Sequence, residues 1–384
     1  MTYELGQGTG PLRGTKVVEL AGIGPGAHAC LILADLGADV IRLERPDGGP
    51  FGGGAHDVLT RSRPRVAIDL KHRDAPGAVL DLVEGADVLI EGMRPGATER
   101  LGLGPEECWA RNARMVYGRM TGWGQTGPLA QTAGHDLTYI GITGALDGLG
   151  QDRARPHFPT NLLGDFGGGS TYLVIGVLAA LLEARASGRG QVVDAAIVDG
   201  TAHLNAMSAS LLATGLAGPQ RSSGLLDGGT PFYDLYETAD GRHMSVAALE
   251  PQFYAELVDR LGLADELPDR NDPGSLREIR DVLTRTFRSR IQADWLEVFD
   301  GSDACVGPVV AYADAPDHPH LKERGTFVER DGITQPAPAP RFSRTEATIS
   351  RSPGDAGADT RAALTAWGLD AEALLEAGAV AQSG

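Results

Sequence analysis

This chain is poor in cysteine, in aromatic residues and in positive charge. Its three cysteines, Cys30, Cys108 and Cys305, lie far apart with no CxxC pair. That argues against a disulfide framework and thiolate zinc sites, and it fits a reducing cytoplasm. Lys and Arg total 34 against 51 Asp and Glu, a formal net charge of −17. A field of that sign repels phosphate, so neither nucleic acid nor an anionic membrane is an expected partner. The longest helical apolar run, Tyr172 to Leu182, is too short to span a bilayer. The first residues lack a basic stretch followed by an apolar one, so no signal peptide is expected. His318-Pro319-His320, on an acidic loop without further ligands, reads as solvated surface, and no metal is expected.

What is present is 384 residues with 42% hydrophobic content, enough for two domains with a sizeable core. The N-terminal part alternates. Lys16 to Leu20 reads as a strand, Ala27 to Leu36 as a helix and Asp39 to Leu43 as a second strand, a βαβ unit implying a parallel sheet. Val66 to Leu70, Val88 to Ile90, Met115 to Arg119 and Gln191 to Ile197 read as further strands. Ala75 to Glu84 and Thr171 to Ala186 read as helices. The fold class is therefore α/β. Residues 1–215 form a large domain and 216–230 a Gly/Ser/Pro-rich linker. Residues 231–317 form a smaller α+β domain, with a hairpin at Asp240-Gly241. Residues 318–384 form a tail ending in a helix, Asp359 to Gly378.

Two runs carry the chemistry: Gly134-His135-Asp136-Leu137-Thr138-Tyr139 and Gly164-Asp165-Phe166-Gly167-Gly168-Gly169. A His and an Asp converging from two segments can move protons on opposite faces of one carbon. The glycine triplet Gly167, Gly168 and Gly169 is the candidate source of backbone N–H groups for an oxyanion. Asp165 as a helix N-cap is the weaker reading, because the helix begins five residues later. Asp136, one residue from His135, points elsewhere and does not orient the ring. Glu250, before Pro251, is a candidate orienting carboxylate, though alone it reads as a plain helix cap. Arg42, Arg45, Lys71 and Arg94 lie at strand ends, where α/β folds bind ligands. Together they suggest an anion, with Arg42 better read as salt-bridging. Gly22-Ile23-Gly24-Pro25-Gly26-Ala27 matches a dinucleotide fingerprint, with Glu44 in the ribose position. A lone match is weak, and Arg45-Pro46 beside Glu44 does not suit a ribose. The stretch reads as a tight strand-to-helix turn. Asp194 and Asp199 read as structural.

These stretches, with Val17 to Gly26, Ala34 to Val40, Arg119 to Gly127, Leu226 to Gly229, Glu250 to Tyr254 and Ser302 to Val306, resemble the family III CoA-transferase (CaiB/BaiF) superfamily. Within it they resemble the α-methylacyl-CoA racemase branch. The resemblance implies a large Rossmann-like domain that also takes in the C-terminal tail, a small domain between, and an interlocked homodimer. It implies an acyl-CoA thioester as substrate and no cofactor, the CoA being part of the substrate. It makes His135 and Asp165 the two acid/base residues, with Glu250 of the partner chain pairing with His135. Arg45, Ile68, Asp69, Leu70, Lys71, Arg94, Gly134, Asp136 and Tyr139 become substrate or CoA contacts. The expected reaction interconverts (2R)- and (2S)-2-methylacyl-CoA through an enolate. The alternative is CoA transfer between carboxylic acids by way of an anhydride on Asp165. GHDLTY stands where the racemases have GHDINY, and Leu59 to Arg65 departs from the usual Arg/Gly/Lys pattern.

Overall fold

Adjacent residues on the N-terminal strands bury on opposite faces. Val17, Val40 and Val88 belong to one apolar cluster, and their neighbours Val18, Ile41 and Leu89 to another. Strands buried on both faces need a sheet covered on both sides, which is the parallel α/β arrangement. The computed structural model, which describes residues 3–48, 54–151, 153–218 and 220–383, has this architecture. The chain forms two compact units.

The larger unit comprises Met1–Thr143, Pro159–Leu204 and Pro319–Gly384. It runs β1 (Lys16–Leu20), α1 (Pro25–Asp35), β2 (Asp39–Glu44), β3 (Arg65–Ile68), α2 (Ala75–Glu84) and β4 (Val88–Glu91). Then come α3 (Ala97–Arg100), α4 (Pro105–Arg111), β5 (Val116–Thr121) and α5 (Asp136–Ile142). A π-helical stretch, Leu162–Ser170, leads into α6 (Thr171–Ser187), followed by β6 (Val192–Ala196) and α7 (Ile197–Leu204). The first six strands run parallel in the order β3-β2-β1-β4-β5-β6. That order is the doubly wound nucleotide-fold sheet. The turn after β1 is where glycine is needed: Gly24 has φ +61°, and Pro25 takes the first helical position, where its missing N–H costs nothing.

The smaller unit comprises Gly144–Phe158 and Asn205–His318. It holds α8 (Ala206–Ala213), the antiparallel strands β7 (Tyr233–Glu237), β8 (His243–Ala247) and β9 (Val306–Val309), and helices α9 (Pro251–Leu261), α10 (Leu276–Phe287) and α11 (Gln292–Phe299). Phe287 stacks on Tyr236 and tilts against Trp295, both with ring centroids 5.2 Å apart, at the centre of this core.

Back in the larger unit, α12 (Pro319–Glu323) and the hairpin β10 (Phe327–Arg330) and β11 (Ile333–Pro336) precede α13 (Thr360–Ala366) and α14 (Ala371–Glu376). Strand β12 (Val380–Ala381) then pairs antiparallel with β3 at the sheet edge. The single helix expected over Asp359 to Gly378 is two helices, because Gly368 at φ +89° turns the chain between them.

The expectation for the apolar run also needs correction. Leu162–Ser187 is one continuous helix of 26 residues, long and apolar enough to cross a bilayer by length and composition. Its Leu173, Val177 and Leu181 are buried in the cluster they share with β1 and α1. A Val or Leu fully buried in this way contributes about 1.5–3 kcal/mol.

Candidate active site

The sheet grows outward from β1 to β3, then restarts on the other side of β1 with β4. Loops leaving β1 and β4 therefore part company, and a crevice opens at the carboxyl edge between them. A cleft of about 380 Å3 lies there. Its walls are the turn around Gly22–Gly26, the Glu91–Pro95 loop, and the side chains of His135, Tyr139 and Asp165. A larger surface depression, of about 680 Å3 along residues 324–349, contains none of the expected site residues.

Asp165 sits on the wide π-helical stretch rather than in a loop or at a cap. Such stretches recur at functional sites, since the widened turn re-aims a side chain. Its backbone N–H donates to Asp136 Oδ1 at 2.7 Å, and Asn161 Nδ2 donates to Asp165 Oδ2 at 3.1 Å. Gly164 permits the first of these bonds, because a Cβ there would lie 2.3 Å from Asp136 Oδ1. Gly24 faces the other side, where a Cβ would lie 3.2 Å from Asp165 Oδ2. Burial pushes the Asp165 pKa up and the nearby Asp136 charge adds to it, while the Asn161 donor and His135 oppose the shift. A carboxylate held above its usual range is better matched to proton transfer at neutral pH.

His135 enters at the start of α5. The Thr138 hydroxyl accepts the His135 N–H at 3.1 Å and donates to its carbonyl at 2.7 Å. These bonds pin the backbone of His135, and its side chain is exposed on the cleft wall. Gly134 and Gly122 make room for Tyr139, whose ring would meet a Cβ at 2.5 and 2.0 Å respectively. Trp123 closes edge-on against that ring at 4.7 Å. The Tyr139 phenol is pushed up by burial and by the Asp165 charge, which places it beside the carboxylate.

Glu91 is the residue that the sequence reading missed. It ends β4, is buried, lines the cleft, and accepts the Met93 N–H at 2.6 Å. The available signal was an acid at the carboxyl end of an apolar strand. Burial raises its pKa to about 7, against the Met93 bond and the Arg119 charge, which lower it. The folded state then binds the Glu91 proton more tightly than the unfolded state. Stability from this group is present below its unfolded value of 4.5 and is lost as pH rises through about 7. Glu91→Gln should therefore leave stability unchanged near pH 4 and raise it by up to about 3 kcal/mol at pH 8. Urea midpoints at the two pH values test this, and equal shifts at both would refute it.

Of the basic residues, Arg94 lines the cleft. Arg45 and Lys71 follow β2 and β3 on the same sheet edge and are exposed, Arg45 pairing with Asp47 at 3.2 Å. Asp69 Oδ1 accepts the Lys71 N–H at 3.0 Å and shapes that turn, Ile68 is core, and Leu70 packs against the core. Arg42 is a salt-bridging residue, but a buried one within β2 rather than a solvated one: it pairs with Glu19 and Glu44. Arg61, Arg63 and Arg65, from the divergent Leu59 to Arg65 stretch, are likewise buried against Asp35, Glu19 and Glu44. Glu44 is spent on these arginines and is not a ribose-binding acid.

Two expected placements differ. Gly167, Gly168 and Gly169 are absent from the cleft wall. A Cβ on Gly168 would lie 2.4 Å from Thr201 Oγ1, and one on Gly169 would lie 3.0 Å from Ile197. The triplet lets the π-helical stretch press against α7, so its glycines serve close packing there. Asp136 acts on Asp165 through the backbone rather than lining the cleft. Glu250 belongs to the smaller unit, at the N-cap of α9, and its exposed carboxylate makes no cap bond.

The model of CoA-transferase family III matches residues 12–360. The chain is 40% identical over 369 residues to the α-methylacyl-CoA racemase of Mus musculus and 38% identical over 371 residues to that of Homo sapiens, covering 95% of each chain in both cases. A crystal structure of a CaiB/BaiF family protein from Brucella suis superposes with a TM-score of 0.77 at 26% identity, covering 93% of this chain and 98% of that one. A doubly wound sheet, a cleft at its switch point holding His135 and Asp165, and matches of this length agree: the chain belongs to CoA-transferase family III.

Proposed function

We propose that this protein is an α-methylacyl-CoA racemase working by two-base proton transfer. The observation that carries the reading is one cleft at the switch point that holds both His135 and an Asp165 of raised pKa. One base removes the α-proton of a 2-methylacyl-CoA, and the planar enolate takes a proton from the other on its opposite face. The thioester carbonyl is less delocalised than an ester carbonyl, so its α-proton is the more acidic. With the glycine triplet packed elsewhere, the developing negative charge falls to the N-terminus of α1, whose Gly26 lines the cleft. Arg94, Arg45 and Lys71 would receive CoA phosphates, supplying locally the positive charge that the chain as a whole lacks. Asp165 by itself would also suit a transferase nucleophile. The racemase reading is favoured by His135 in the same cleft and by the two racemases similar along nearly the full chain.

Glu250 of a second copy pairs with His135 in this proposal, and the protein is an interlocked homodimer. Exposed apolar side chains on the larger unit, among them Ile142 at 64% and Leu182 at 67% exposure, fit covering by another chain. The reaction uses no cofactor beyond the CoA of the substrate, and the site of action is the cytoplasm. The experiment is proton NMR of (2S)- or (2R)-2-methylacyl-CoA in D2O with no added acid. Loss of the α-proton signal with appearance of the opposite epimer is expected. No exchange, but CoA movement once a carboxylic acid is added, would make the protein a transferase with Asp165 as nucleophile.

A further inference from the structure

Glu250 stands on a corner whose backbone is held by one side chain of the same unit. Arg270, on the loop following α9, donates from Nη1 to the Ala248 carbonyl at 3.3 Å and from Nη2 to the Leu249 carbonyl. Its guanidinium lies over the rings of Phe232 and Tyr254, at 4.2 and 4.5 Å from their centroids. The two rings meet edge to face at 5.6 Å. Tyr254 is in the first turn of α9 and donates its N–H to the Glu250 carbonyl at 3.0 Å. One planar cation therefore ties the carbonyls before Glu250 to the helix after it.

The plain reading of such an arginine is an ion pair, but among the described residues Arg270 makes none with a carboxylate. Its charge is used on backbone oxygens and π faces. That geometry needs a flat fork that can hydrogen-bond at its edge while stacking on its face, which lysine cannot reproduce. The Glu250 carboxylate is not spent on its own helix either, so its direction is set by the backbone it leaves. We propose that Arg270 is a positioning residue for Glu250, fixing the corner and so the line along which the carboxylate projects. This rests on the reading that Glu250 orients His135.

The test compares the full-length wild type, R270K, E250Q and the double variant by α-proton exchange in D2O, with thermal melts alongside. E250Q is expected to lower kcat by about 30-fold, less than the roughly 10²–10⁴-fold of a group that itself transfers the proton. R270K should lower kcat by about tenfold with KM within about twofold, as misplacement does. In the E250Q background, R270K should cost less than about twofold, because two residues acting through one function do not add. Phe232→Leu, which removes one stacking face and leaves the hydrogen bonds, should give a smaller loss that also vanishes with E250Q, so the proposal survives an R270K that folds poorly. An equal loss from R270K in both backgrounds, or full kcat in R270K, overturns the proposal. Full kcat in E250Q overturns the Glu250 assignment as well, and that single variant tells the two failures apart.

Discussion

Asp165→Asn and His135→Ala should each lower epimerisation by about a thousandfold or more, while CoA-thioester affinity stays within a fewfold. The size follows from the two-base scheme. Racemisation needs a base on one face and an acid on the other, so losing either stops the full cycle. Asparagine keeps the size of Asp165 and its capacity to meet Asn161, yet it cannot carry the proton. Binding should survive because the CoA phosphates, in the proposed reading, are met by Arg45, Lys71 and Arg94, which neither substitution alters. The variants should also differ from each other. A single remaining base can take a proton and return it to the same face, which exchanges hydrogen for deuterium without inversion. His135→Ala should therefore retain slow exchange on one enantiomer of the substrate and Asp165→Asn on the other. Equal exchange of both enantiomers in either variant would sink the two-base assignment. Because burial and Asp136 hold the Asp165 pKa above its usual value, activity that needs the carboxylate should fall as pH drops through a point above the ordinary carboxylate range. That acid limb should be absent from the residual exchange of Asp165→Asn.

The largest loss of stability should come from Glu19→Ala, on the order of 3–5 kcal/mol. Glu19 ends in a buried cluster, 1% exposed, between Arg42 and the fully buried Arg63. Its Oε2 accepts from Arg63 Nη1 at 2.8 Å, and the same Arg63 nitrogen reaches the Ala27 carbonyl at 3.0 Å. Arg63 already has two nitrogens, Nε and Nη2, without a hydrogen-bond partner among the described residues. Removing the carboxylate that meets it leaves a guanidinium in the interior with no other carboxylate partner among the described residues, whereas Arg42 keeps Glu44. An unpaired buried charge costs far more than an exposed ion pair contributes. Glu19→Gln retains an acceptor and should lose less than Glu19→Ala. Because Glu19 lies at the floor of the cleft and Ala27 is in the first turn of α1, activity should fall with stability in this one case. Equilibrium urea unfolding of both variants measures the loss, and a change under about 1 kcal/mol for Glu19→Ala would show that the cluster is already hydrated.

Local rules were enough for the parallel strands. β-branched runs such as Lys16 to Leu20 and Val88 to Ile90, punctuated by glycine and proline, form strands because nothing non-local competes with their pattern. His135 and Asp165 were legible because each sits beside glycines in a run whose sequence shows neither helix nor strand periodicity. The role of Gly167 to Gly169 was not legible. A glycine that frees N–H groups and a glycine that admits a neighbouring helix read alike until Thr201 and Ile197 are seen against it. Glu91 was missed because its pKa comes from burial, which depends on the strands packed around it. Nothing in the Leu59 to Arg65 stretch foretold the partners of Arg61, Arg63 and Arg65, since it is the sheet that brings Asp35, Glu19 and Glu44 to meet them. The chain order thus determined which groups exist and which strands alternate with which helices. Only the tertiary structure decided which charges are buried and paired, and which of the many acids and histidines share a cleft, because electrostatic environment is a property of distance in space and not of spacing along the chain.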